Sequence, residues 1–186
     1  MKRAEIERLL PEIFQRTLPP DETTDSPLRA FLSVMETLHA PSEQVLVSLD
    51  AFFDPYRTPD RFVPYLASWV DLDQIWLDDP TGYTVANLPP FPAGVGRLRA
   101  LIAAAATLSR WRGTETGLRL FLETATGVTG FDILEEVEDE TGEIIPFHIR
   151  VRVPADAQVY VGLIRRIVEL EKPAYVTYEL EVVSEE

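Results

Sequence analysis

The chain contains no cysteine, which excludes a disulfide frame, a thiolate zinc site and a cysteine nucleophile. Basic residues are scarce, 17 against 31 acids, for a formal net charge of −14. A surplus of that sign excludes a nucleic-acid groove or an anionic membrane as the main partner, because phosphate binding needs an excess of Lys and Arg. No apolar run approaches the roughly 18 residues of a spanning helix, so no direct membrane insertion is expected. The opening stretch, MKRAEIERLL, is charged throughout and lacks a signal-peptide core. Assembly in the cytoplasm is the expectation. What is present suffices for a folded protein. With 186 residues, 46% hydrophobic and 26% charged, the chain suits one domain or two small ones.

Three textures follow one another. Residues 1–77 form an N-terminal helical region. A first helix is expected from about Lys2 to Phe14, with Ile6, Leu9, Leu10, Ile13 and Phe14 on one side. After Leu18-Pro19-Pro20-Asp21, Ser26 caps a helix whose first-turn residue is Pro27. Leu28, Phe31, Leu32, Met35 and Leu38 follow helical spacing. Pro41 is expected to interrupt it and Ser42 to restart it, with Val45, Leu46, Leu49, Phe52 and Phe53 as the next stripe. A further helix runs from about Pro59 to Val70, with Phe62, Leu66 and Trp69. Between Leu28 and Phe53, 15 of 26 residues are apolar and four are charged. Either these helices sit centrally in their own domain or a second chain covers them.

Residues 78–96 hold four prolines and three glycines and read as a Pro/Gly-rich loop or linker, suited to a contact arm. Residues 97–126 read as a helical hairpin. Leu98, Leu101, Ile102, Ala105 and Leu108 share a face, and Leu118, Phe121 and Leu122 another. Between them Gly113 supplies a left-handed residue, Thr114 caps the next helix and Glu115 suits its positive end. Arg112 is placed to bond the last carbonyls of its own helix. Residues 127–186 read as a small ββαβ unit. Phe131, Ile133, Glu135 and Val137 alternate, as do Phe147, Ile149, Val151 and Val153, around a hairpin loop with Gly142 at a positive φ. A helix from about Ala155 to Glu171 leads to a strand with Val176, Tyr178, Leu180 and Val182 inward. Strand, helix and strand at this spacing predict a parallel pair, with Arg150 and Arg152 facing Glu179 and Glu181. The fold class is α+β.

Chemistry is sparse. His148 reads as an exposed strand residue and His39 as a helix C-terminal residue favoured by the dipole; neither has partners at metal-ligand spacing. Asp132, Glu135, Glu136, Glu138, Asp139, Glu140 and Glu143 cluster at the hairpin tip, without the glycine offset of a calcium loop. They form a solvated turn or a docking patch for a basic partner. Residues 97–119 sum to +4 and residues 120–143 to −8; such blocks fold onto one another or face neighbours in an assembly. No catalytic residue, metal or cofactor is expected.

Several motifs occur in an order that resembles a known family: Leu10-Pro11-Glu12-Ile13-Phe14, then Phe53-Asp54-Pro55 with Thr58-Pro59, then Tyr65-Leu66-Ala67-Ser68-Trp69-Val70. Last comes Arg110-Trp111-Arg112-Gly113-Thr114-Glu115-Thr116-Gly117-Leu118, the most specific of them. Across nearly the whole chain the sequence is similar to the tail protein I-like baseplate wedge family of contractile phage tails and injection systems; its 78–96 segment is longer than the family pattern. The resemblance implies a structural subunit rather than an enzyme. It also implies a larger baseplate-J-like partner, a hetero-oligomer in which six wedges ring the hub, and residence in a tail or injection particle.

The expected partner interface comprises Leu28, Phe31, Met35, Val45, Leu49, Phe52 and Phe53, with Glu135, Glu136, Glu138, Asp139 and Glu140 as an acidic contact. Arg112, Gly113, Thr114 and Gly117 are expected to be a structural turn. A competing reading is a small acidic adaptor or chaperone that binds a basic partner through the hairpin. An enzyme acting on a polycation or carbohydrate would need a carboxylate constellation in a cleft.

Overall fold

Helix starts and stops follow local chemistry in a computed structural model that describes residues 3–19, 26–76, 89–139 and 141–183. Two compact units result, residues 1–52 and 53–186. The first holds α1 (Arg3–Leu9), α2 (Glu12–Gln15), α3 (Pro27–Val47) and most of α4 (Leu49–Phe53). The Ser26 hydroxyl accepts from the Arg29 N–H and Pro27 occupies the first turn, so α3 begins where expected. The single helix expected from Lys2 to Phe14 is instead two short ones. Pro11 follows the break, and of the five apolar residues assigned to one side only Ile6 is buried.

Pro41 does not interrupt α3, and Ser42 caps nothing: one helix of 21 residues runs through both. Proline already has a helical φ, but the chain forgoes the N–H that the Thr37 carbonyl would have received and brings the ring against that carbonyl. The helix stops at Ser48, whose N–H reaches back to Gln44 and whose hydroxyl donates to the same carbonyl at 2.9 Å. His39 therefore lies exposed within the helix rather than at its C-terminal end. α1 packs on the side of α3 that carries Arg29 and Leu32, the two buried residues of that helix. The Arg29 guanidinium donates to the Pro19 carbonyl at 2.7 Å and lies 3.7 Å from Glu7.

The second unit continues with α5 (Val63–Trp69), α6 (Val95–Arg110), α7 (Glu115–Thr126), β1 (Asp132–Leu134), β2 (His148–Pro154), α8 (Val161–Glu171) and β3 (Thr177–Val183). The helix expected over Pro59–Val70 starts as a 3-10 turn, Asp60–Phe62, before α5. Another 3-10 stretch, Ala155–Tyr160, leads into α8. Leu66, Leu101, Phe121, Leu122, Val151, Ile164 and Ile167 belong to one buried cluster between helices and sheet. Arg99 anchors the segment before α5. Its guanidinium donates to the Pro55 carbonyl, to the Thr58 carbonyl at 2.8 Å and to the Asp60 carboxylate at 2.6 Å.

The sheet order is β1-β2-β3, antiparallel then parallel. The expected cross-strand charges meet in register: Arg150 pairs with Glu179, and Arg152 with Glu181 at 3.1 Å. The α+β class and ββαβ order hold, with three adjustments. β1 ends at Leu134, so Glu135 lies outside the ladder. Phe147 precedes β2 with φ 56° and is exposed, not inward. In β3, Tyr178 and Leu180 are only half-buried and Val182 is exposed, because this edge strand covers one rim of the core.

The turn between α6 and α7 is built as its sequence requires. Gly113 has φ 75°, and the Thr114 hydroxyl accepts from the Gly117 N–H at 3.1 Å. Gly117 lies so close to the Trp111 carbonyl that a Cβ there would collide with it. Gly113 has open space instead, so only its φ resists a side chain. Gly117→Ala should lower unfolding stability by about 1–3 kcal/mol, against about 1 kcal/mol for Gly113→Ala. Urea denaturation of both variants checks the order.

Candidate functional site

The most conspicuous surface belongs to α3 and α4. Phe31, Val34, Leu38, Val45, Leu46 and Val47 are exposed on α3, and Leu49 and Phe53 on α4; Leu28, Met35 and Phe52 are half-buried. Steps of three and four join Leu28, Phe31, Met35, Leu38, Ser42, Val45, Leu49 and Phe52. That is a heptad pattern with a single polar member, Ser42, and no charge. At 100° per residue its α3 members, together with Val34 and Leu46, fall within an arc of about 120°. The stripe adjoins the Arg29–Leu32 side, which α1 covers. The residues expected at a partner interface lie on these two helices. The expected contact set leaves out Val34, Leu38 and Leu46, which the unbroken helix places on the same stripe. Among these residues Leu38 is the most exposed after Val47, at 71%.

The structural turn holds at Gly113, Thr114 and Gly117 but differs at Arg112. Its guanidinium does not serve its own helix. It donates to the Leu170 carbonyl at 3.0 Å and lies 3.5 Å from Glu171, so it closes the end of α8. Partial burial pushes the Glu171 carboxyl above its usual range, while Arg112 pulls it back. The opposite-charge blocks do not simply fold onto each other. Arg99 bonds Asp60, Arg112 meets Glu171, and Arg119 pairs with Glu115 one turn earlier in α7. The Arg97 guanidinium lies over Gly127, the left-handed residue that ends α7.

At the hairpin tip the acids divide. Glu135, Glu136 and Glu138 are exposed, and Glu140 lies outside the described residues. Asp139 is exposed too, but its carboxylate bonds its own loop. One carboxylate oxygen accepts from the Thr141 N–H at 2.7 Å, the Thr141 hydroxyl at 2.6 Å and the Glu143 N–H at 3.0 Å. The Thr141 hydroxyl first, then the Glu143 and Thr141 amides, hold its pKa below the ordinary aspartate range. Asp139 thus orders the turn while its carboxylate remains exposed. His148 is more enclosed than an exposed strand residue: its Nδ1 lies 2.8 Å from the Thr177 hydroxyl, and its Nε2 is 4.0 Å from Glu179. Among the described residues no group of three His, Asp or Glu side chains comes together as a metal site requires.

Two aromatic groupings went unread in the sequence. Phe53 stacks on Trp69 with centroids 5.8 Å apart, and Phe62 meets the same indole edge-on at 6.2 Å. Phe147 and Tyr175 form an edge-to-face pair at 5.3 Å although 28 positions separate them. The only signal for the second pair is two aromatics flanking the strand ends, which the parallel register then brings together.

The family model described as phage tail protein (Tail_P2_I) matches residues 25–175. No curated protein matches the chain.

The Asp139 carboxylate, bonded to its own turn, carries a pH signature. Because its folded pKa is depressed, the loop bonds persist above the unfolded value and are lost as pH falls through the folded one. The Thr141 and Glu143 amide resonances should titrate together, with an inflection below the ordinary aspartate range. Asp139→Asn should keep the turn and abolish the titration. Asp139→Ala should release both amides. An NMR pH series on the three proteins reads this out.

Proposed function

The chain belongs to the phage tail protein (Tail_P2_I) family, and from that premise we propose that it is a wedge subunit of a contractile-tail or injection-particle baseplate. In this reading a larger baseplate-J-like subunit covers the α3–α4 stripe, six such wedges ring the hub, and the C-terminal ββαβ unit makes a peripheral contact. A structural role in the tail follows from the family. The wedge position and its partner are the finer reading. Assembly takes place in the cytoplasm, and the subunit breaks no bonds and needs no cofactor.

The observation that carries the reading is the uncharged heptad stripe left open on α3. Apolar side chains at this spacing mesh with the side chains of a neighbouring helix. Val34 and Leu46 widen the stripe beyond a strict two-helix seam, which favours enclosure by more than one helix. The adaptor reading draws less support. Asp139, within the acidic cluster, is committed to the geometry of its own turn.

Co-expression with the particle's baseplate-J-like subunit tests the proposal. The wild-type chain should co-purify, and Leu38→Glu with Val45→Glu should weaken association at least about tenfold, as buried charges do in an apolar contact. Thermal melting of the second unit should not change. Glu136→Gln with Glu138→Gln should leave the complex intact, whereas an adaptor would lose it. Purified alone, the chain should self-associate. A monodisperse, stable monomer whose double-glutamate variant still assembles would overturn the reading.

A further inference from the structure

Beneath the exposed Phe147–Tyr175 pair lies a cavity of about 210 Å³ that belongs wholly to the second unit. Its walls come from the start of α7, from β1, from the start of β2 and from the α8–β3 connection. Leu118 and Ile133 are buried in its floor and Ile149 is half-buried. At the rim the two rings stand perpendicular, Phe147 67% and Tyr175 70% exposed.

The rings are held there by backbone. The Phe147 carbonyl accepts from the Thr177 N–H at 2.9 Å and from the Thr177 hydroxyl at 3.2 Å. With φ at 56°, the residue sits in a region that a bulky side chain enters at a cost of order 1–3 kcal/mol. Its ring is turned outward in this conformation, over the cavity mouth.

The charge on the lining is one-sided: Glu115, Glu135 and Glu171 against Lys172. Glu115 already holds Arg119, and Glu171 holds Arg112. Glu135 is exposed and makes no ion pair with any described residue. An occupant must therefore offer an apolar stem for the floor, a flat cation for the rings and a fork for one carboxylate. Arginine offers all three, since its guanidinium stacks on aromatic faces and binds carboxylates through two parallel N–H bonds. Lysine lacks the planar fork. An aliphatic side chain would desolvate Glu135 without compensation.

We propose that this cavity docks an arginine side chain presented by a neighbouring tail protein, with Glu135 as its anion and the Phe147 and Tyr175 rings as its platform. The contact is separate from the α3 stripe and does not depend on the wedge assignment.

The test uses the full-length chain with ¹³C-labelled isoleucine methyls, observed by a transverse-relaxation-optimised experiment that tolerates self-association. The probes are N-acetyl-Leu-Arg-amide, its citrulline analogue and N-acetyl-Leu-Glu-amide. The arginine peptide should shift the Ile133 and Ile149 methyls in a saturable way and leave Ile6 still; citrulline and glutamate peptides should not. Glu135→Gln should weaken binding about fivefold, the scale of an exposed charge pair. Tyr175→Phe should retain binding, and Phe147→Ala with Tyr175→Ala should lose it while the remaining methyl spectrum is unchanged. Equal responses to arginine and citrulline, no saturable shift, or binding that survives loss of both rings would overturn the proposal. None of these outcomes bears on assembly through α3.

Discussion

One imbalance governs the first unit: α3 is a 21-residue helix that buries one leucine and one arginine. Covering an apolar side chain fully is worth roughly 1.5–3 kcal/mol. Phe31, Val34, Leu38, Val45 and Leu46 are already partly covered, so together they offer on the order of 5–10 kcal/mol to a partner. Bringing two bodies together costs about 4–15 kcal/mol. The two magnitudes are comparable, so the stripe alone holds a neighbour weakly. In a closed ring each chain touches more than one neighbour, and the second contact forms at high effective concentration. In the proposed wedge ring a modest stripe would then suffice for a stable assembly.

The second unit follows the opposite logic. Its core is closed by helices on one sheet face, and its arginines act as staples within the chain. Arg99 binds two carbonyls and a carboxylate of the segment before α5. Arg112 ties the α6–α7 turn to the end of α8, and Arg150 and Arg152 lace β2 to β3. Several charge-assisted bonds from one guanidinium fix geometry where a single lysine contact would not. A unit held in this way can present a defined surface, such as the Phe147–Tyr175 rim, without a partner to order it.

Much of this was legible from spacing. Ser26-Pro27 and Gly113-Thr114 announced their helix starts, since a cap needs one side-chain acceptor and a permitted φ, both local properties. The parallel direction of β2 and β3 followed from the strand–helix–strand spacing, and the register that sets Arg150 opposite Glu179 came from the structure. What failed needed information from elsewhere in the chain. The target of Arg112 lies 58 positions away on α8, and helix-end chemistry alone pointed it to the nearer carbonyls. Phe147 fits the alternation of β2 perfectly, yet its carbonyl is claimed by Thr177 and the residue turns out of the strand. The turn-ordering role of Asp139 was hidden because a run of acids gives no sign of which one will find three donors.

The most consequential misreading was Pro41. An interior proline costs about 3 kcal/mol in a helix, and the usual inference is that the helix ends. Had it ended there, the apolar residues before and after it would lie on helices of unrelated direction. Because α3 continues to Val47, Leu28, Phe31, Met35, Leu38 and Val45 share one phase and form a single stripe. Beyond Pro41 that helix buries none of its residues, so little within the first unit offsets the proline. Under the proposed wedge role, a partner that covers Val45 and Leu46 would offset it. The residue that looked like a terminator therefore sits inside the stripe and leaves its phase intact.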